Sequence, residues 1–293
     1  MTTAQPGILQ PIPAFGRYLM FSARPQGAHA AALQRLAEQA DGDSVVVGLG
    51  QSLVQALGKN IGNLRSFPDF STAKLNIPIT QYDLCCWLRS NERGELVHLG
   101  RKLEQLLADA FALQQGVDAF RYGSGLDLTG YEDGTENPVG AAAVETAFTH
   151  GQGAGLDGSS FLALQQWQHD FNSFESLSAQ AQDHVFGRRK SDNAELDDAP
   201  ASAHVKRTEQ ESFEPAAFVL RRSMPWARDD DSGLMFSAFG HSFDAFEVQM
   251  RRMTGSEDGI QDALFQFSTP ISGSYFWCPP LLNGRLDLSA LQL

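Results

Sequence analysis

Three separated stretches of this sequence gather residue types that could carry acid–base or metal chemistry. Gly130-Tyr131-Glu132-Asp133-Gly134-Thr135-Glu136-Asn137-Pro138 packs two glycines, an Asn-Pro and three acids into nine residues. Gly, Asn, Asp and Pro all favour turns for local reasons, so a surface turn is one reading. The other is a carboxylate held in a pocket by a rigid, glycine-flanked loop, where it could act as base and then acid. His204 lies in the polar run 187–212. A lone histidine there is either solvated, satisfied in the core, or a metal ligand. Arg221 and Arg222 close the apolar run AAFVL. Strand alternation sends Arg221 and Ser223 to one face and Arg222 to the other. Beside Val219 and Leu220, Arg221 either reaches solvent or points into a pocket, where a guanidinium stabilises an anion.

Other signals resolve into ordinary structure. VVVGLGQSL at 45–53 looks like the start of a dinucleotide fingerprint, but Leu53 stands where the third glycine belongs and no acidic ribose partner stands out. A tight strand-to-helix turn is the better reading. No GxxxxGK[ST] loop and no GxSxG elbow are present. Asp229, Asp230 and Asp231 read as a solvated turn. Of the three cysteines, Cys85 and Cys86 are adjacent and Cys278 is distant, which makes a poor disulfide framework. With 22 basic and 35 acidic side chains the net charge is −13, and nucleic-acid binding, which needs clustered Lys and Arg, is not expected. No apolar run of about 20 residues exists to span a bilayer, and nothing like a charged n-region precedes Arg17. The expectation is a cytoplasmic protein with reduced thiols.

Hydrophobic patterning sets out the elements that must position these residues. Strands are expected at 17–23, 44–49, 82–89 and 117–121, with helices at 27–40 and 95–111. After the glycine-rich 123–158 stretch the order recurs: strands at 159–167, 216–222, 234–239 and 264–273, with helices at 173–186 and 242–253. A β-α-β-β-α-β unit is the ferredoxin-like motif. Two of them predict a duplicated α+β fold, antiparallel sheets with helices outside, divided as residues 1–140 and 141–293. The 187–212 run is an exposed loop by composition, yet a loop that long inside a domain tends to be functional.

Taken together, these segments resemble the dye-decolourising peroxidases. GYEDGTENP is similar to the family's GxxDG signature, HVKR at 204–207 to its haem-ligand histidine region, and LRRSMPW at 220–226 to its distal arginine strand. FSTPISGSYFWCPP at 267–280 resembles its C-terminal signature, and the opening QPGILQPIPAFGRYLMF and the VVVGLG turn extend the likeness nearly end to end. The closest branch is the compact bacterial one without a secretion signal. The resemblance implies a dimeric α+β barrel of two ferredoxin-like modules, and one haem b per chain. It implies a peroxidase that reduces hydrogen peroxide through a ferryl state while oxidising organic donors such as dyes and phenolics. A homo-oligomer is implied as well. The short tail LNGRLDLSALQL gives no reason to expect encapsulation in a protein compartment.

Residue by residue, the resemblance makes His204 the iron ligand. Such a ligand is a neutral imidazole, steadied by a carboxylate on its other N–H; Asp262 is the first candidate for that carboxylate and Glu247 the second. Arg188 matches the arginine that pairs with a haem propionate, with Arg207 a further candidate. Asp133 and Arg221 match the catalytic pair, Asp133 shuttling the peroxide proton and Arg221 stabilising charge on the leaving oxygen. Ser223 stands where other members carry Asn and is expected to hydrogen-bond a distal water. A carboxylate shuttle, with an ordinary pKa near ~4, predicts turnover favouring mildly acidic conditions. Trp87, Trp167, Trp226, Trp277 and the tyrosines are either electron relays or plain core. The reading from another class is a haem-handling protein, which needs His204 but not Asp133 with Arg221.

Overall fold

Val45–Leu49 is buried at every position and Leu84–Ser90 at all but its last. Near-continuous apolar runs of this kind belong to strands covered on both faces. In the computed structural model, which describes residues 2–293, the covering is of two kinds. Tyr18, Met20, Val46, Cys85 and Trp87 join one core cluster, whereas their neighbours Leu19, Phe21, Val45, Val47, Cys86 and Leu88 join another that includes helix residues Leu33, Leu36 and Leu103. Alternate side chains therefore point into a barrel and out under its helices.

Among the described residues, eight antiparallel strands close this barrel: β1 Phe15–Ala23, β2 Val45–Leu49, β3 Leu84–Ser90, β4 Phe111–Phe120, β5 Ser160–His169, β6 Met224–Arg228, β7 Asp231–Gly240 and β8 Ser274–Cys278. Around the barrel the order is β4-β1-β3-β2 and then β8-β5-β7-β6, so each half repeats the same 4-1-3-2 arrangement. The halves meet at two thin seams, Leu49 opposite Trp277 and Ala119 opposite Trp226. Closure leaves the barrel without a free edge. The helices are α1 His29–Gln39, α2 Gln51–Ala56, α3 Arg93–Leu107, α4 Gly140–Ala147, α5 Phe171–Glu175, α6 Ala179–Phe186, α7 His204–Arg207 and α8 Asp244–Met253. The duplicated α+β architecture expected from the pattern is the one found. Among the described residues, no helix is long and apolar enough to cross a membrane.

Individual boundaries differ for identifiable reasons. The VVVGLG segment is a strand-to-helix turn: a Cβ at Gly50 would lie 2.3 Å from the Tyr82 carbonyl oxygen, so only glycine allows the approach. The strand expected at 117–121 starts at Phe111, because pairing with β1 overrides the helix preference of its Ala, Leu and Gln. The helix expected over 173–186 is two, since Ser178 caps a new start by accepting from the Ala181 N–H. Residues 216–219 stay out of the sheet because Gln210 takes them: its backbone oxygen accepts from Ala217 and its side-chain oxygen from Val219. Only Leu220–Arg221 pair with β7 before β6 resumes. In place of a strand over 264–273 there is a 3-10 turn, Ala263–Gln266, capped by Asp262, then a short strand Ser268–Pro270; the barrel strand is β8. Helix α4 lies inside the glycine-rich 123–158 stretch, where the pattern predicts no element.

Candidate functional site

A cavity of about 260 Å³ lies against β5 and β7 on one side and α8 on the other. Gln165, Trp167 and His169 come from alternate positions of β5, and Leu234 and Phe236 from β7. Phe246, Met250 and Met253 close the apolar wall from α8. The two loops singled out in the sequence, 130–138 and 187–212, supply the polar wall, including Asp133, Arg188 and His204. Arg221 joins them from the end of its short strand.

His204 begins α7, and its Nδ1 lies 2.8 Å from Asp262 Oδ2. Asp262 is fully buried and its other oxygen accepts from the Leu264 N–H. A carboxylate there accepts, so Nδ1 carries the hydrogen; in the neutral ring Nε2 then keeps its lone pair. Glu247, the second candidate for this contact, is elsewhere: it binds Arg65 at 2.6 Å and Arg251 at 2.8 Å.

In the wall of the same cavity, Asp133 Oδ1 lies 3.7 Å from Arg221 Nε, with both side chains about four-fifths buried. Their relative position is set by Asn137. Its amide accepts from the Arg221 N–H at 2.8 Å and donates to the Arg221 carbonyl at 3.0 Å. The Asn of the turn-rich motif is thus a clamp joining the Asp133 loop to the arginine strand. Gly134, at φ +80°, takes the left-handed conformation beside Asp133 that favours glycine. Arg222 leaves on the opposite side, as alternation predicts, donating to the Ile8 and Leu9 carbonyls. Burial, with Arg89 nearby, lowers its pKa to about 10.

Arg188 donates to Glu136 at 2.6 Å and to the Asn193 carbonyl at 3.1 Å, presenting a guanidinium in the cavity wall. Two expected residues neither line the cavity nor make a side-chain bond to a residue that does. Arg207 forms a bidentate pair with Asp258 at 2.7 and 2.8 Å and donates to the Arg252 carbonyl, so its charge is spent on the end of α8. Ser223 is buried, its hydroxyl makes no protein hydrogen bond, and it does not line the cavity. Trp87, Trp226 and Trp277 are core residues; Trp167 is also buried but faces the cavity.

Sequence reasoning missed His169 and Asp127, which are paired in the cavity wall with Nε2 3.0 Å from Oδ2. Burial pushes the Asp127 carboxyl up, but bonds from His169 and Thr129 outweigh it and hold it below the ordinary range. It also missed Gln165, fully buried with neither amide atom bonded to protein. A histidine ending a strand and followed by an aspartate offers no pattern that would have separated it from a packed one.

A family model described as "Dyp-type peroxidase, C-terminal" matches residues 125–283, more than half of the 293. The chain belongs to the Dyp-type peroxidases. A dye-decolorizing peroxidase of Mycobacterium tuberculosis is 30% identical over 248 residues, covering 81% of this chain and 73% of that protein. One from Rhodococcus erythropolis is 30% identical over 249 residues, with 82% and 73% covered. Among solved structures, a dye-decolorizing protein from V. cholerae superposes with a TM-score of 0.84 at 26% identity, covering 94% of this peroxidase and 99% of that chain. A variant of DypB from Rhodococcus jostii RHA1 in complex with heme gives 0.86 at 26% identity, over 93% and 94%. As a peroxidase, the chain is an oxidoreductase.

Proposed function

We propose that this peroxidase uses one haem b, held in the cavity, to reduce hydrogen peroxide while oxidising small organic donors such as dyes and phenolics. The observation that carries this reading is the convergence of His204–Asp262 and Asp133–Arg221 on one cavity. The residues present fit the cofactor. Among the described residues no three His, Cys, Asp or Glu side chains gather to hold a metal ion. A single carboxylate-oriented imidazole with a free nitrogen suits a metal that brings its other ligands in a macrocycle. The apolar wall from β7 and α8 suits the flat ring, and the unbonded amide of Gln165 is a buried polar group in need of a partner. The heme carried by the related DypB variant supports the same choice.

In this reading His204 Nε2 is the iron ligand, and Asp262 fixes its tautomer and raises its basicity. Arg188 is the cation placed to meet a haem carboxylate. Bound haem supplies the iron at which the O–O bond of peroxide is cleaved. The Asp133 carboxylate takes a proton from one peroxide oxygen and returns it to the other, which departs as water. Arg221 lies within reach of the same carboxylate and stabilises negative charge on the departing oxygen. The Asn137 clamp keeps the two groups in register as this occurs. Three buried cysteines, none in a disulfide among the described residues, support a reducing, cytoplasmic location.

The test is the absorption spectrum of the haem-reconstituted protein after one equivalent of hydrogen peroxide, by stopped flow. Rapid conversion is expected in the wild type, slowed by about 10²-fold or more in Asp133→Ala or Arg221→Ala. A haem-loaded protein whose spectrum peroxide leaves unaltered would overturn the reading and favour haem handling.

A further inference from the structure

A bonded path in the cavity wall links the turn that precedes the Asp133 loop to the segment that begins at Asp262. His169 ends β5 with both ring nitrogens engaged: Nε2 faces Asp127 Oδ2 at 3.0 Å and Nδ1 faces Ser268 Oγ at 2.8 Å. Its side chain is 6% exposed and that of Asp127 11%, so neither bond competes with bulk water. The other Asp127 oxygen accepts from the Thr129 N–H at 2.8 Å and its hydroxyl at 2.6 Å. The Asp127 backbone closes the same turn, donating to Tyr131 O and accepting from the Gly130 N–H. The strand-like arm leaving this turn runs Tyr131, Glu132, Asp133, and Glu132 bridges back to Leu126.

We propose that His169 is a positioning residue for Asp133, acting through the Asp127 turn from which the Asp133 loop is suspended. Four of the turn's hydrogen bonds converge on Asp127, and among the described residues only His169 ties its side chain to the barrel wall. Ser268 anchors the other side of the ring, in the segment that begins at Asp262. The imidazole therefore fixes the distance between the loop holding the proton carrier and the segment holding the His204 partner. Asp127, held below its ordinary pKa, is ionised and accepts, so Nε2 bears a hydrogen, and Nδ1 pairs with the serine hydroxyl. Neither nitrogen is left to touch substrate, which is why the role is one of placement.

This inference rests on Asp133 being the proton carrier, and the experiment separates the two. The rate of the peroxide-induced spectral change is measured for His169→Gln and Asp127→Asn, each alone and combined with Asp133→Ala. Hydrogen exchange of the segment 127–137 is followed in the same proteins. A misplaced carrier is expected to slow the reaction about 10- to 100-fold in either single variant. With Asp133 already removed, the further loss is expected to shrink to within about twofold, because the effects share one residue. Exchange over 127–137 is expected to rise in both variants, while haem affinity stays at the wild-type value. Losses that multiply fully in the Asp133→Ala background, or exchange that does not change, would overturn the proposal. An Asp133→Ala protein as fast as wild type would instead remove the carrier reading, and the positioning role with it.

Discussion

The two polar pairs of the cavity are built to opposite tolerances. His204 and Asp262 are 2.8 Å apart, with Asp262 fully buried and its second oxygen occupied by a backbone N–H. Asp133 and Arg221 are 3.7 Å apart, beyond a hydrogen bond, and each keeps about a fifth of its side chain exposed. The first arrangement suits a group that must hold one tautomer and one orientation indefinitely. The second suits groups that must bind, release and hand over a proton, because a carboxylate already saturated by a bidentate arginine is a poor proton carrier. Precision on that side comes from the backbone, through the Asn137 clamp, and leaves the side chains free.

The sharpest way to break this contrast is to remove the tight side altogether. His204→Ala is expected to lose the histidine-ligated haem spectrum and peroxide turnover together, and added imidazole is expected to restore part of both. Full activity without any nitrogen ligand would show that the tight pair has another purpose. On the loose side, Asp133→Asn keeps the size of the side chain and removes its base. The expected loss in the second-order rate with peroxide is about 10²- to 10⁴-fold at unchanged haem affinity. Measuring both quantities matters, since a fall in affinity instead would mean the loose pair is structural.

How much of this could be read from the sequence follows the same division. The duplicated order of elements was legible because apolar periodicity survives in the strands and in helices such as α3 and α8. The motif residues Asp133, His204 and Arg221 were legible by resemblance, since their types and order are distinctive. What could not be read is which partner a long side chain chooses across space. Arg207 sits three residues after His204 but turns to Asp258 and the end of α8. Ser223 shares a face with Arg221 in an ideal strand, but the sheet is interrupted between Leu220–Arg221 and Met224, and the serine is buried without lining the cavity. Asn137 looked like a turn former, and its amide is a clamp to a strand far along the chain.

The tight pair can also be weakened without being removed. Asp262→Asn keeps a hydrogen-bond acceptor but no negative charge for the His204 ring. The expected result is a 10- to 100-fold weaker hold on haem, read by transfer of haem to an acceptor protein. The peroxide step, once haem is bound, is expected to fall less than in Asp133→Asn. A reversed order of the two effects would undo the division of labour between the pairs.

The smallest effect concerns the ground on which the loose side stands. Asp127 is held below its ordinary pKa: burial works against the charge, but His169 and Thr129 overcome it. A carboxylate depressed in the folded state adds stability that is present above its unfolded pKa, near 3.9, and lost as pH falls through the lower folded value. Asp127→Asn therefore should lower the melting temperature at neutral pH by a few degrees, on the order expected for a lost charge-assisted bond in a chain of this size. The gap to wild type should narrow as both proteins are taken below about pH 3.9 and close only below the lower folded pKa, because native wild type keeps the charge until that value is passed. A gap that persists at the acid end would mean that the Asn disturbs packing of the turn. The loop carrying Asp133 would then be held by shape, with the His169–Asp127 charge contributing little.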